Sequence, residues 1–139
     1  MTPHEISLIR ESWTLLAADG LAPVVSGFYR SLFGQRPDLR LLFDVDMGGQ
    51  ACRFGEALNQ AVRDLDRPEV LLPLVEALGR RHAGYRDSDQ HYDAVGEALL
   101  DSFAERLGPA FTPDVRAAWT RAYQTLSTVM RRAAAIVPV

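Results

Sequence analysis

Three polar side chains stand where helical spacing aims them inward or brings them to a helix start, and their types suit ligand binding. His82 closes a stripe on which Val70, Leu71, Leu74, Val75 and Leu78 share one face. A neutral imidazole facing a cavity can supply a bond to a metal ion, while its second nitrogen is oriented by a backbone carbonyl. A core histidine whose nitrogens are both satisfied by backbone groups is the plain alternative. Tyr29 stands beside Phe28 in a segment that turns Leu21, Val25, Leu32 and Phe33 the same way, and Gln50 opens the segment after a glycine-rich loop. A phenol O–H and an amide N–H are both hydrogen-bond donors. An ordinary core tyrosine and a solvated, helix-capping glutamine are the corresponding alternatives. His4 and His91 read as surface residues, and Cys52 as a small structural residue. No zinc-binding cluster, phosphate-cradling glycine loop or hydrolase triad is evident in the sequence.

The elements that must position these residues read as helices. Thr2-Pro3-His4-Glu5 combines a cap, a first-turn proline and a capping-box glutamate, and starts a helix to about Ala18. After Asp19-Gly20 a second helix runs to Gly34. A short piece from Pro37 to Phe43 leads into Asp44-Val45-Asp46-Met47-Gly48-Gly49, the main surface loop. The third helix starts at Gln50 and carries Ala51, Phe54, Leu58, Ala61, Val62 and Leu65 inward. The fourth follows Asp66-Arg67-Pro68, with Pro73 in its first turn or so, and Gly84 marks its end. A fifth runs from Asp89 to Leu107 with Tyr92, Val95, Gly96, Leu99 and Phe103 inward. A sixth, begun by Thr112-Pro113-Asp114, buries Val115, Ala118, Trp119, Ala122, Tyr123, Leu126, Val129 and Met130. Nothing alternates with period two, so the fold class is all-α.

The 139 residues make one domain, 1–139, with room for one substantial core and none for a second enzymatic module, so a redox partner is expected to be a separate molecule. A net charge of −3 gives no general attraction to nucleic acid or anionic lipid, and no run approaches the roughly 20 apolar residues that span a bilayer. The single cysteine forbids an intramolecular disulfide, and the charged N-terminus lacks the apolar core of a secretory signal. A cytoplasmic protein is the expectation.

Ordered fragments along nearly the whole chain resemble the single-domain globins of bacteria and the globin part of flavohaemoglobins. Gly27-Phe28-Tyr29-Arg30-Ser31-Leu32-Phe33, Arg36-Pro37-Asp38-Leu39 and Phe43 are similar to that family's FY-x-x-(M/L)-F, x-P-x-L and F run. Leu71-Leu72-Pro73 leading to Arg81-His82 resembles its proximal helix. Tyr92 to Leu100 resembles its Y-x-x-V-G-E-x-L-L helix, and Ala118 to Tyr123 its A-W-x-K-A-Y segment.

The resemblance implies a globin fold enclosing one haem b (iron protoporphyrin IX), with His82 as the proximal iron ligand and Phe43 packed on the porphyrin. His82 lies 39 positions after Phe43, enough for a loop, one long helix and a return to the other face. Tyr29 and Gln50 match the family's distal tyrosine and glutamine, which donate to a polarised bound gas. Phe54 falls where the family usually has leucine, implying a tighter pocket. Leu58 lines it further along, and Arg81 matches a position that could meet a haem propionate, though a solvated arginine fits as well. Tyr92 matches a tyrosine that, with a C-terminal glutamate, supports the proximal histidine in flavohaemoglobins. Here the last helix reads Arg131-Arg132-Ala133-Ala134-Ala135 and supplies no glutamate, so peroxidase-like activation does not carry over.

The function so implied is reversible, high-affinity oxygen binding, with nitric oxide and carbon monoxide as further ligands. Oxidation of nitric oxide to nitrate with an external reductase, the activity of a nitric oxide dioxygenase, stays open. So do a haem-based gas sensor that signals to a partner protein and a haem-free helical interaction module.

Overall fold

The computed structural model describes the backbone of residues 1–38, 47–82 and 89–135, and the side chains of 1–38, 52–78 and 92–133. Among the described residues six α-helices follow one another: α1 (Pro3–Leu16), α2 (Leu21–Gln35), α3 (Met47–Arg63), α4 (Pro68–His82), α5 (Asp89–Leu107) and α6 (Pro113–Ala135), with a 3-10 turn at Gly108–Ala110. There is no strand among the described residues, and no described helix is long and apolar enough to cross a membrane. The expected all-α class is what forms.

Local chemistry explains the helix starts. Thr2 Oγ1 accepts from the Glu5 N–H at 3.1 Å while the Thr2 N–H donates to Glu5 Oε1 at 3.0 Å, so two otherwise orphan donors are satisfied reciprocally. Gly20, at φ +95°, makes the left-handed turn between α1 and α2 at no steric cost. Thr112 Oγ1 caps α6 by accepting from the Val115 N–H at 3.3 Å.

Four expectations need correction. The glycines read as loop are helical: α3 begins at Met47, so Gly48 and Gly49 lie in its first turn and Gln50 is its fourth residue. Pro73 is the sixth residue of α4, inside the helix rather than at its start, and forfeits one backbone bond there. Val70, expected inward, is 39% exposed because the buried stripe of α4 runs through Leu71 and Val75 instead. Cys52 is exposed as well, its thiol 3.6 Å from Glu56 Oε1, and packs no core. Gly84, the expected end of α4, and the Leu39–Phe43 stretch lie outside the described residues.

α2 packs chiefly on α5 and α4 on α6, with α1 against α6 and α3 against α2. The closed core joins Ile9, Leu16, Leu32, Phe103 and Trp119, and both tryptophans find partners as buried indoles must. Trp119 Nε1–H donates to Ser12 Oγ at 2.8 Å, and Trp13 Nε1–H to Asn59 Oδ1 at 2.9 Å. Two glycines permit close helix approaches. A Cβ at Gly55 would lie 3.0 Å from Val25 Cγ2 on α2, and one at Gly96 would lie 2.7 Å from Tyr123 Cε2 on α6.

Candidate ligand-binding site

Tyr29 is the ninth residue of α2 and is buried, surrounded by phenyl rings. Phe33, one turn on, stacks on it with centroids 5.6 Å apart and an interplanar angle of 23°. Phe28 meets it edge-on at 4.9 Å, and Phe54 of α3 reaches it at 5.9 Å. Phe54 also packs on Phe28 at 4.6 Å. Leu58 follows Phe54 by one turn, and both are half-buried against the core. The described neighbours of the phenol are aromatic, a low-dielectric setting in which a hydrogen bond to a polar ligand is stronger than in water.

Gln50 precedes Phe54 by one helical turn, so their Cα atoms lie on one flank of α3. His82 is the last residue of α4, preceded by Arg81. The side chains of Gln50, Arg81, His82 and His91, and all of Phe43, lie outside the described residues. Among the described site residues the fold brings together Tyr29 and Phe54 directly, with Leu58 one turn beyond. His4 is exposed, as expected.

Tyr92, the fourth residue of α5, is buried where α5 meets α6. Tyr123 Oη–H donates to the Tyr92 carbonyl at 2.6 Å, and the Arg131 guanidinium lies 4.7 Å above the Tyr92 ring while reaching Asp93 at 3.4 Å. The stretch that lacks a glutamate thus presents a cation to Tyr92, held by the ring's negative face. Sequence spacing alone missed both Arg131 and the stacking role of Phe33. The i, i+4 relation of Tyr29 and Phe33 was available to find the second; nothing local pointed to the first.

A flat apolar cofactor suits the donor and lining set. Leu58, Leu74, Leu78 and Val129 lie on the apolar stripes of α3, α4 and α6 yet stay partly accessible, in contrast to the sealed core around Phe103. Six packed helices with such a lining and a buried phenol define a helical ligand-binding protein. The chain belongs to the globin family: the family model described as Globin matches residues 26–130. As a globin it is a haem protein that takes small gas ligands.

The chain is similar to the flavohemoprotein of Xylella fastidiosa strain Temecula1, 30% identical over 98% of this chain and 34% of the relative. It is also similar to that of Vibrio cholerae, at 30% over 93% of this chain and 33% of the relative. The flavohemoprotein of Bordetella parapertussis is 32% identical over 94% and 33%. The chain spans about one third of these relatives' length. Its fold is similar to that of a hexacoordinated heme protein from an anhydrobiotic tardigrade, in a crystal structure at pH 4. The TM-score is 0.83 at 18% identity, covering 96% of this chain and 94% of the other.

Proposed function

We propose that residues 1–139 act as one globin unit that binds oxygen reversibly and tightly at a haem b, and that the oxygen so held oxidises nitric oxide to nitrate with electrons from an external reductase. Cytoplasmic placement goes with this reading, and carbon monoxide and nitric oxide are further ligands. The observation that carries it is the burial of Tyr29 among Phe28, Phe33 and Phe54 on the α2–α3 side, a hydrogen-bond donor in an otherwise apolar lining.

A bound haem would supply an iron centre able to take up a diatomic gas reversibly. His82, at the end of α4, would hold the iron, its other ring nitrogen oriented by a backbone carbonyl. Phe43 would pack on the porphyrin, and Phe54 and Leu58 would exclude water from the gas side. Arg81 would pair with a propionate, a fork of donors against a carboxylate. The Tyr29 hydroxyl and the Gln50 amide would each donate to the outer atom of the gas, favouring oxygen, which is more polar when bound, over carbon monoxide. Tyr92 would stand behind the histidine, its ring under the Arg131 cation rather than beside a carboxylate.

Stopped-flow oxygen dissociation from the haem-loaded protein and its Tyr29→Phe and Gln50→Leu variants tests this. A hydrogen bond with a charged partner is worth roughly 1.5–3 kcal/mol, so release should accelerate about 10- to 100-fold in Tyr29→Phe. Fast release that neither substitution changes would defeat the assignment. Mixing the oxygenated protein with nitric oxide should yield nitrate in equal amount; persistence of nitric oxide would remove the dioxygenase activity.

A further inference from the structure

We infer that Phe54 is a positioning residue for Tyr29: with Phe33 it holds the phenol ring in one orientation, so that the direction of the tyrosine O–H is set by α3 as well as by α2. The inference rests on the reading of Tyr29 as the gas-facing donor and adds to it the element that fixes its aim.

Tyr29 has two soft side-chain torsions, and the second, at the ring, is intrinsically broad. Phe33 is supplied by the same helix at i+4 and stacks at 5.6 Å with a 23° interplanar angle, so it moves with Tyr29. Phe28 is its chain neighbour and likewise moves with α2. Among the described rings around Tyr29, Phe54 is the one that comes from another helix, and it meets both Phe28, at 4.6 Å and 36°, and Tyr29, at 5.9 Å and 57°. Its position is fixed by the next residue: at Gly55 the missing side chain brings α3 against α2, where a Cβ would lie 3.0 Å from Val25 Cγ2 and 3.4 Å from Leu21 Cβ. Val25 and Leu21 sit one and two turns before Tyr29. The α3 backbone is therefore seated on α2 one to two turns before Tyr29, and this close approach holds Phe54 against the Phe28 and Tyr29 rings. A leucine at 54 would fill much of the volume but offer no flat face, leaving the phenol a wider range of ring angles. Hydrogen bonds weaken steeply as their angle departs from linear, so a wider range means a weaker average bond.

The test uses the haem-loaded protein with carbon monoxide and oxygen as probes, in the wild type and in Phe54→Leu, Phe33→Leu, Tyr29→Phe and the Phe54→Leu/Tyr29→Phe double variant. The infrared stretch of bound carbon monoxide reads the distribution of donor orientations. One dominant narrow band in the wild type should broaden or split in Phe54→Leu and in Phe33→Leu. Oxygen release should quicken in Phe54→Leu, and the factor by which Tyr29→Phe accelerates release should shrink about 3-fold or more in the Phe54→Leu background, as expected for groups in contact. A band unchanged in Phe54→Leu, with the Tyr29→Phe factor the same in both backgrounds, overturns the inference and leaves Phe54 as packing alone. Were Tyr29→Phe silent in the wild type, the functional reading itself would fail, and this inference with it.

Discussion

At Gly96 the space a side chain would need is taken by Tyr123. A Cβ there would stand 2.7 Å from Cε2 and 3.0 Å from Cδ2 of a ring that is itself tethered, its hydroxyl bonded to the Tyr92 carbonyl at 2.6 Å. Gly96→Ala gains about 0.5–1 kcal/mol of helix propensity but forces an overpacked contact costing about 1–3 kcal/mol, so the variant should be less stable. In a Tyr123→Leu background the same substitution should instead stabilise, and urea unfolding of the two single variants and the double variant measures that reversal. A Gly96→Ala penalty undiminished without the tyrosine would show that the glycine is needed for some other reason. Residues of this kind differ in how far the sequence discloses them. The inward direction of Tyr29 and Tyr92 follows from helical spacing. The Arg131 cation over Tyr92 does not, because it depends on the register between α5 and α6, which no local pattern encodes.

The end of α3 shows how one element completes another. Its last carbonyls have no partners within the helix, and Arg10 of α1 supplies them: Nε–H donates to the Val62 carbonyl at 3.3 Å, and Nη2–H to the Arg63 carbonyl at 2.7 Å and to Asp66 Oδ1 at 2.8 Å. The hydrogen bond from Arg10 holds the Asp66 carboxyl below its ordinary range. A carboxyl lowered in the folded state adds stability at pH above its unfolded value, and that stability is lost as pH falls through the folded value. Arg10→Ala should therefore lower Tm by about 3–6 °C at neutral pH, with the gap to wild type narrowing in acid, as pH falls below the ordinary carboxyl range and Asp66 protonates in both. Thermal melts at neutral and at acid pH check this, and a gap that widened in acid would contradict it. Element bounds were legible where a cap marks the start, as at Thr2 and Thr112, and over Asp89–Leu107, where the apolar spacing runs the length of the helix. They were misread at Gly48 and Gly49, since glycine lowers helix propensity without forbidding a helix, and α3 begins through both. The inter-helix bonds from Arg10 and from Trp13 to Asn59 could not be read at all, because their partners lie 46 or more residues away.

Across the whole molecule the apolar interior is unevenly closed. Ile9, Leu16, Leu32 and Phe103 are sealed where α1, α2, α5 and α6 meet, whereas Leu74 and Leu78 of α4 and Leu126 and Val129 of α6 remain partly accessible. Burial at the first location is complete without any cofactor, so that part should persist as a folded unit. Beside the buried Leu71 and Val75, the four partly accessible side chains leave apolar surface to cover, and a porphyrin held by His82 would cover it. A ligand bound only by the folded state stabilises it by mass action, about 4 kcal/mol when its free concentration is a thousandfold above Kd. Haem loading should accordingly raise Tm by roughly 10 °C, and His82→Ala should lose most of that gain while leaving the cofactor-free protein unchanged. Hydrogen exchange should place the added protection in α4 and the end of α6, with little change in α1, because exchange reports which elements open locally and at what free energy. Protection spread evenly over all six helices would mean that the haem and the core around Phe103 fold as one cooperative unit, and the division between a self-sufficient core and a cofactor-dependent α4–α6 layer would have to be abandoned.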